Sequence, residues 1–318
     1  MRGKFCFPHK FQILHLMKSF FSFLYQLISS LRPLNLFLIL LTQALTSVFL
    51  LNNSLCISNL FSKPIPTSCL DFYFLVLATV LSAAGGYMLN DCCDRKIDLI
   101  NSPKRGLFTE KNLYLFYFLS SLFFGISLLL GFLISLQIGF SVLLSVILLI
   151  FYAKNSKRIG ILKPIIVSFL TGFSIVLVGL LDSNSISSIY YVPSIVYFFT
   201  SWAFLLSMTR EIIKDFEDLK GDSLENSFTS VIQLGKRKSI LLLYSISILL
   251  MFSIISSVFV SNTTFYNSIH KIVMIVLIGI FIFLLNNEKF NSSTKVYKKL
   301  SLFCKIMMLV GILGMIVY

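Results

Sequence analysis

The feature that most limits what this chain can fold into is a series of nine apolar segments. They fall at residues 33–51, 72–89, 112–132, 135–152, 162–181, 191–208, 240–260, 271–285 and 300–317. A helix needs about 20 residues to cross a bilayer, and most of these segments are near that length. In hydrocarbon no water is available to satisfy backbone N–H and C=O groups, so a segment of this kind must be helical. An all-α, polytopic membrane protein of about nine transmembrane helices is therefore expected. Segment 271–285 is the shortest, and without it there would be eight spans and the C-terminus would change sides. With 13% charged residues against about a quarter in a soluble domain, the chain is too apolar for the alternative.

The net charge of +14 invites a nucleic-acid reading, but its distribution opposes one. If the N-terminus is inside, 23 of the 27 Lys and Arg residues fall before segment one or in the connections after segments two, four, six and eight, and Lys163 at the inner edge of segment five makes 24. This is the positive-inside pattern, and it predicts an N-terminus on the cytoplasmic side of the cell membrane. Residues 1–32, with Arg2, Lys4, Lys10, Lys18 and Arg32, read as a basic amphipathic segment lying on the inner surface. No small-residue cleavage site precedes Arg32-Pro33, so the segment is read as retained. Residues 33–318 form a single transmembrane domain. The six cysteines show neither metal spacing nor a disulfide ladder and read as small apolar fillers, Cys92 and Cys93 pointing away from the charged face. Nothing calls for nucleic acid or for an obligate protein partner.

Against this background the acids are conspicuous by their grouping. NDCCDRKID places Asp91, Asp94 and Asp98 at i, i+3 and i+7, within about 60° of arc on one helix face. DFEDLKGD repeats the spacing with Asp215, Asp218 and Asp222, extended backwards by Glu211, while Glu217 falls off the stripe into solvent. Like charges so close repel, which asks for a cation between them. Mg²⁺ takes oxygen ligands, keeps waters and binds through one or two carboxylates plus substrate phosphates. Two acidic faces on the same side of the membrane suit Mg²⁺ on a diphosphate, with Asn90 as a neutral oxygen and Arg210 and Lys214 on the phosphate oxygens. Gly85 and Gly86 allow close helix packing just before the first cluster.

Ordinary readings compete with this one. A single cluster would also be explained by surface ion pairs with Arg95, Lys96 or Lys104, but two at identical spacing are not. Glu211 is equally a partner of Arg210 or Lys214. In YAKNSKR, Tyr152 and Lys157 suit interfacial anchoring as well as a site.

NDCCDRKID resembles the first Asp-rich motif of the UbiA superfamily of intramembrane prenyltransferases, and DFEDLKGD the second. Tyr152 with Lys157 is similar to its Tyr/Lys element, and LRPLN, with Asn35, to its opening. The resemblance extends from Leu31 to the C-terminus in motif order, span number and sidedness. It implies helices around a central cavity capped by cytoplasmic loops, and Mg²⁺-dependent transfer of an isoprenyl group from its diphosphate to a membrane-associated acceptor. By position, Asn90, Asp91, Asp94 and Asp98 would bind one metal and the diphosphate, and Asp215, Asp218 and Asp222 the other metal. Lys157, Arg210 and Lys214 would contact phosphate, with Tyr152 and Asn35 beside the substrates. Asp91, Asp94, Asp215, Asp218 and Tyr152 are the expected catalytic residues.

Within the superfamily, TREIIKDFEDLKGD looks most like the branch that includes digeranylgeranylglyceryl phosphate synthases, which alkylate a lipid alcohol such as geranylgeranylglyceryl phosphate. Two departures lie in the capping loops: SPKRGLFTE replaces a Pro-rich stretch, and Lys163-Pro164 replaces a Gly-Asn. An aromatic acceptor, as in quinone, haem or chlorophyll-type synthesis, is the second reading. A membrane transporter is the reading from another class, though transporter acids lie near the midplane and these lie at the inner rim.

Overall fold

The computed structural model describes residues 21–51, 67–183, 194–224, 227–259, 265–286 and 294–318. These are helical almost throughout. The long helices are α1 (Pro33–Leu45, prolonged by a π-turn Thr46–Leu50), α2 (Thr67–Asn101), α4 (Leu113–Ile134), α5 (Leu136–Asn155), α6 (Leu162–Ser183), α7 (Ser194–Leu224), α9 (Lys236–Ser256), α10 (Phe265–Asn286) and α11 (Thr294–Leu313). Two short helices, α3 (Pro103–Lys111) and α8 (Ser230–Leu234), lie next to the acidic ends of α2 and α7.

Eight of these helices are long and apolar enough to cross a membrane. The sixth expected segment lies in α7, whose 31 residues pass from an apolar start into the polar stripe of Glu211 to Asp222. The weakest segment in the sequence becomes one of the clearest spans. α10 begins six residues before Lys271, and its mean hydropathy of 2.6 is the highest of the eight. Lys271 itself is buried and lies over the Tyr318 ring, so the one charge that shortened the segment is absorbed by the C-terminus.

Two apolar cores hold the bundle. One gathers Leu75, Phe124, Val146 and Leu177 from α2, α4, α5 and α6. The other gathers Trp202, Leu243, Phe281 and Cys304 from α7, α9, α10 and α11. Helix pairs come close where glycine permits it: a Cβ on Gly85 would lie 3.1 Å from the Ser120 carbonyl oxygen, and one on Gly86 2.8 Å from Leu149. Ser120 and Ser127 donate to the carbonyls of Gly85 and Ala78 at 2.9 and 2.8 Å, which fastens α4 to α2. In lipid such small-residue and hydroxyl contacts replace the hydrophobic drive of a soluble core. Exposed Phe118, Phe140, Phe252 and Phe283 on the outer surface suit contact with acyl chains.

Of the basic N-terminal segment, residues 21–30 are described and helical, and the rest lies outside the described residues. Phe23, Leu27 and Leu31 pack on Met88, Cys92, Phe108 and Phe116, while Phe21, Tyr25 and Ile28 are exposed. Cys92 is thus apolar filling, as expected. Cys69 corrects the filler reading of the cysteines, because it is disulfide-bonded. It sits at the end of α2 away from the acids, about 33 Å from Asp91 at 1.5 Å per residue.

Candidate functional site

The site is built from the ends of α2 and α7, which run on past their apolar portions and carry their acids to one rim. α2 stops where Pro103 denies it a backbone donor, and α3 folds back against its last turn. That return needs Gly106, since a Cβ there would lie 2.6 Å from the Leu99 backbone nitrogen. The turn delivers Arg105 to the acids of α2: its Nε donates to Asp91 Oδ2 at 2.8 Å and lies 3.9 Å from Asp98. A second Arg105 nitrogen bonds Asp91 Oδ1.

Asp91 is fully buried and also accepts from Arg32 Nη2 at 3.2 Å. Arg32 stands immediately before Pro33 in the left-handed region, φ 54°, and its guanidinium lies 4.6 Å from the centre of the Tyr87 ring. A non-glycine residue held there costs on the order of 1–3 kcal/mol. The double contact with Asp91 and Tyr87 is what holds it.

Asp215 is treated similarly on the other side. It accepts from Lys163 Nζ at 3.0 Å and from the Ser230 N–H and hydroxyl at 3.2 and 2.7 Å. The Lys163-Pro164 departure therefore has a use: it supplies the cation that neutralises a buried acid of the second motif.

With Asp91 and Asp215 engaged behind it, a cavity of about 210 Å³ is lined by the other four aspartates, Asp94, Asp98, Asp218 and Asp222. Asn90, Tyr152, Lys157 and Lys214 line it too. Asp94 accepts from Ser156 at 2.9 Å. Asn101 ties the two acidic helices together, donating to the Asp218 carbonyl at 3.2 Å and accepting from the Gly221 N–H at 3.2 Å. The α5–α6 and α7–α8 connections close over the rim through Phe228 N–H to Lys157 O at 2.6 Å and Gly160 N–H to Phe228 O at 2.9 Å.

The donors fit a magnesium ion shared with a phosphate ligand. They are all oxygens, and two of them, Asp222 Oδ2 and Asn90 Oδ1, are buried with no hydrogen-bond partner. Burial, opposed by Lys163 and reinforced by Asp215 and Asp218, pushes the Asp222 carboxyl up to about 7. Among the described residues no three His, Cys, Asp or Glu side chains converge to cage a metal by themselves. Mg²⁺ binds in this open way, through few carboxylates, waters and phosphate.

A second cavity of about 420 Å³ continues from the first between α1, α2, α5, α6 and α7. The two share Arg32, Asn90, Arg105, Tyr152 and Lys214. Its deeper wall is apolar, with Ile39, Leu149, Val167, Phe173 and Leu177, and Asn35 lies at its α1 side. Tyr152, only 8% exposed, stands at the junction of the charged and apolar volumes. An apolar branch of about 100 Å³ leads towards Trp202 and Met308.

The expected residues are thus only partly brought together. Arg210 lines the apolar cavity, not the acidic one, and donates to Glu211 at 2.6 Å, which makes Glu211 an ion-pair partner. Glu217, expected in solvent, lines the acidic cavity, and burial together with Asp218 raises its carboxyl. Sequence reasoning passed over Arg32, Arg105, Asn101, Ser156 and Lys163. Only Arg105 lay close enough in the sequence to Asp98 to signal its pairing.

Residues 54–305 match the UbiA prenyltransferase family. The chain is 30% identical over 236 residues to the digeranylgeranylglyceryl phosphate synthase of Methanosphaera stadtmanae, a match covering 74% of this chain and 83% of that protein. With the synthase of Saccharolobus solfataricus it shares 34% over 209 residues, 65% of this chain and 69% of the other. Among solved structures, one from work on digeranylgeranylglyceryl phosphate synthase in membranes has a TM-score of 0.69 at 22% identity, covering 93% of this chain and 98% of that one. A UbiA homologue from Archaeoglobus fulgidus bound to DMAPP and Mg²⁺ has a TM-score of 0.60 at 15% identity, covering 92% and 100%. At these identities the structural likeness shows the fold.

Proposed function

The chain belongs to the UbiA prenyltransferase family, and from that premise we propose that it moves an isoprenyl group from an isoprenyl diphosphate to the free hydroxyl of an isoprenylated glycerol phosphate, with Mg²⁺. The observation that carries the reading is the joining of the two cavities: an acid- and cation-lined one that suits a metal diphosphate opens directly into an apolar one that suits hydrocarbon.

Asp94, Asp98, Asp218, Asp222 and Asn90 would hold the metal, which when bound withdraws electron density from the diphosphate. Lys157 and Lys214 bind phosphate oxygens, and Arg32 and Arg105 lie on the same wall with their charge partly taken by Asp91. The allylic C1–O bond breaks and its electron pair leaves on the diphosphate. The ring of Tyr152 lines the junction where positive charge then develops, and Tyr87 lines the larger cavity beside it. The acceptor oxygen bonds C1 and its proton passes to an oxygen of the departing diphosphate. Asp91 and Asp215 have their oxygens engaged by Arg32 and Lys163 and are not assigned this proton. In this reading Asp91 and Asp215 set the positions of cations and helix ends, and Asp94 and Asp218 face the reaction.

The active site and N-terminus are on the cytoplasmic side in this proposal. Support comes from the charge distribution and from the Cys69 disulfide at the opposite end of α2, since disulfides persist in oxidising compartments.

Substitution of Asp94→Ala and of Asp218→Ala tests the site. Each is expected to lower diphosphate release by about 100-fold or more, the scale of losing an electrostatic contact made to a transition state. Wild-type turnover in both folded variants would refute the assignment.

A further inference from the structure

Two cations, Lys305 and Arg210, have no part in the diphosphate cavity. Lys305 lies within the last candidate span, Val296–Val317, where a charge is costly unless something receives it. With Arg210 it lines both the 420 Å³ cavity and its apolar branch. Lys214 lines the larger cavity and the acidic one, at their boundary. Arg210 and Lys214 are close enough to Lys305 for their like charges to interact with it, and Glu217 and Glu211 offset part of that repulsion.

Compensation within the protein is incomplete. Glu211 takes Arg210 through Nη1, leaving Arg210 Nε buried with no partner. Among the described residues, no carboxylate lies within ion-pair distance of Lys214 or Lys305. Three cations, Arg210, Lys214 and Lys305, against two acids, Glu211 and Glu217, still leave a net positive charge of about +1, which an anionic head group such as a phosphomonoester can meet. Beyond the cations, the branch is walled by Phe199, Trp202, Leu206, Met308 and Met315, a surface for a hydrocarbon chain.

We infer that Arg210 and Lys305, with Lys214 at the boundary, form a second anion subsite that binds the phosphate of the acceptor lipid. The inference rests on the reading of the acceptor as a glycerophosphate lipid. It makes acceptor selection a property of α7 and α11, separate from the acids that hold the donor. No covalent step is involved: the subsite anchors the head group so that the free hydroxyl faces the junction at Tyr152.

The test is steady-state kinetics of the full chain in lipid with Mg²⁺, an isoprenyl diphosphate and an isoprenylglycerol phosphate, alongside the same acceptor without its phosphate. In Lys305→Met the KM for the phosphorylated acceptor should rise roughly 10- to 100-fold, the size of a lost charge-assisted hydrogen bond, while the KM for the donor stays unchanged. Lys305→Arg should recover most of the loss, and both forms should treat the dephosphorylated acceptor alike. Should Lys305→Met not fold, glycerol phosphate added to the wild type should compete with the acceptor and not with the donor. An unchanged acceptor KM, an equal rise in donor KM, or competition with the donor alone would overturn the subsite and leave the prenyl-transfer reading standing. A wild type that prenylates only aromatic acids would overturn the acceptor reading and the subsite together.

Discussion

At the scale of residues, the site depends on buried charges that neutralise one another across long stretches of chain. Lys163 and Asp215 are 52 positions apart and both buried, so removing one leaves the other without a partner. Lys163→Met should therefore destabilise the protein by about 3 kcal/mol, and the double change with Asp215→Leu should recover part of that. Thermal unfolding of the three variants in detergent measures it; equal midpoints for Lys163→Met and the wild type would contradict the pairing. The acids themselves were legible in the sequence, because period and spacing on one helix need no knowledge of the fold. Their partners were not. Arg32 reaches Asp91 over 59 positions, and nothing local in LRPLN announces a left-handed arginine stacked on a tyrosine. Lys163 stood out only as a departure from a motif, which shows that a position is different without saying what it touches.

Among the elements, the connection from α2 to α3 decides whether Arg105 reaches the acids. A methyl group at Gly106 would meet backbone atoms of Asp98 and Leu99 at 2.8 and 2.6 Å, and backbone cannot yield as a side-chain tip can. Gly106→Ala should cost about 1–3 kcal/mol and lower kcat, since α3 must move away with Arg105. Gly125 in α4 has nothing within 4 Å, so Gly125→Ala should be neutral or stabilising by up to about 1 kcal/mol. Equal effects of the two on unfolding temperature and turnover would contradict this account of the turn. Hydropathy made the helices legible, with errors where charge and burial disagree. Lys271 shortened α10 in the sequence although the folded chain buries it against Tyr318.

For the whole molecule, the arrangement is a two-core bundle with its acidic rim at one end and a disulfide at the other. Sidedness follows from these together. In intact cells an impermeant maleimide should label Cys93, a free and partly exposed thiol beside the rim, only after permeabilisation, and so give no Cys93 adduct before it. Labelling of Cys93 in intact cells would invert the proposed orientation. The disulfide was not legible because six scattered cysteines carry no pairing information in the sequence. The central claim is Mg²⁺-dependent isoprenyl transfer to a lipid alcohol, and mass spectrometry of the product tests it most directly. Purified protein in lipid, given an isoprenyl diphosphate and an isoprenylglycerol phosphate, should form one product whose mass is the acceptor plus the prenyl group less one hydrogen, with the phosphate retained, and chelation of Mg²⁺ should abolish it. Formation of the same product in excess chelator, or none from any acceptor while the protein remains folded, would contradict the account.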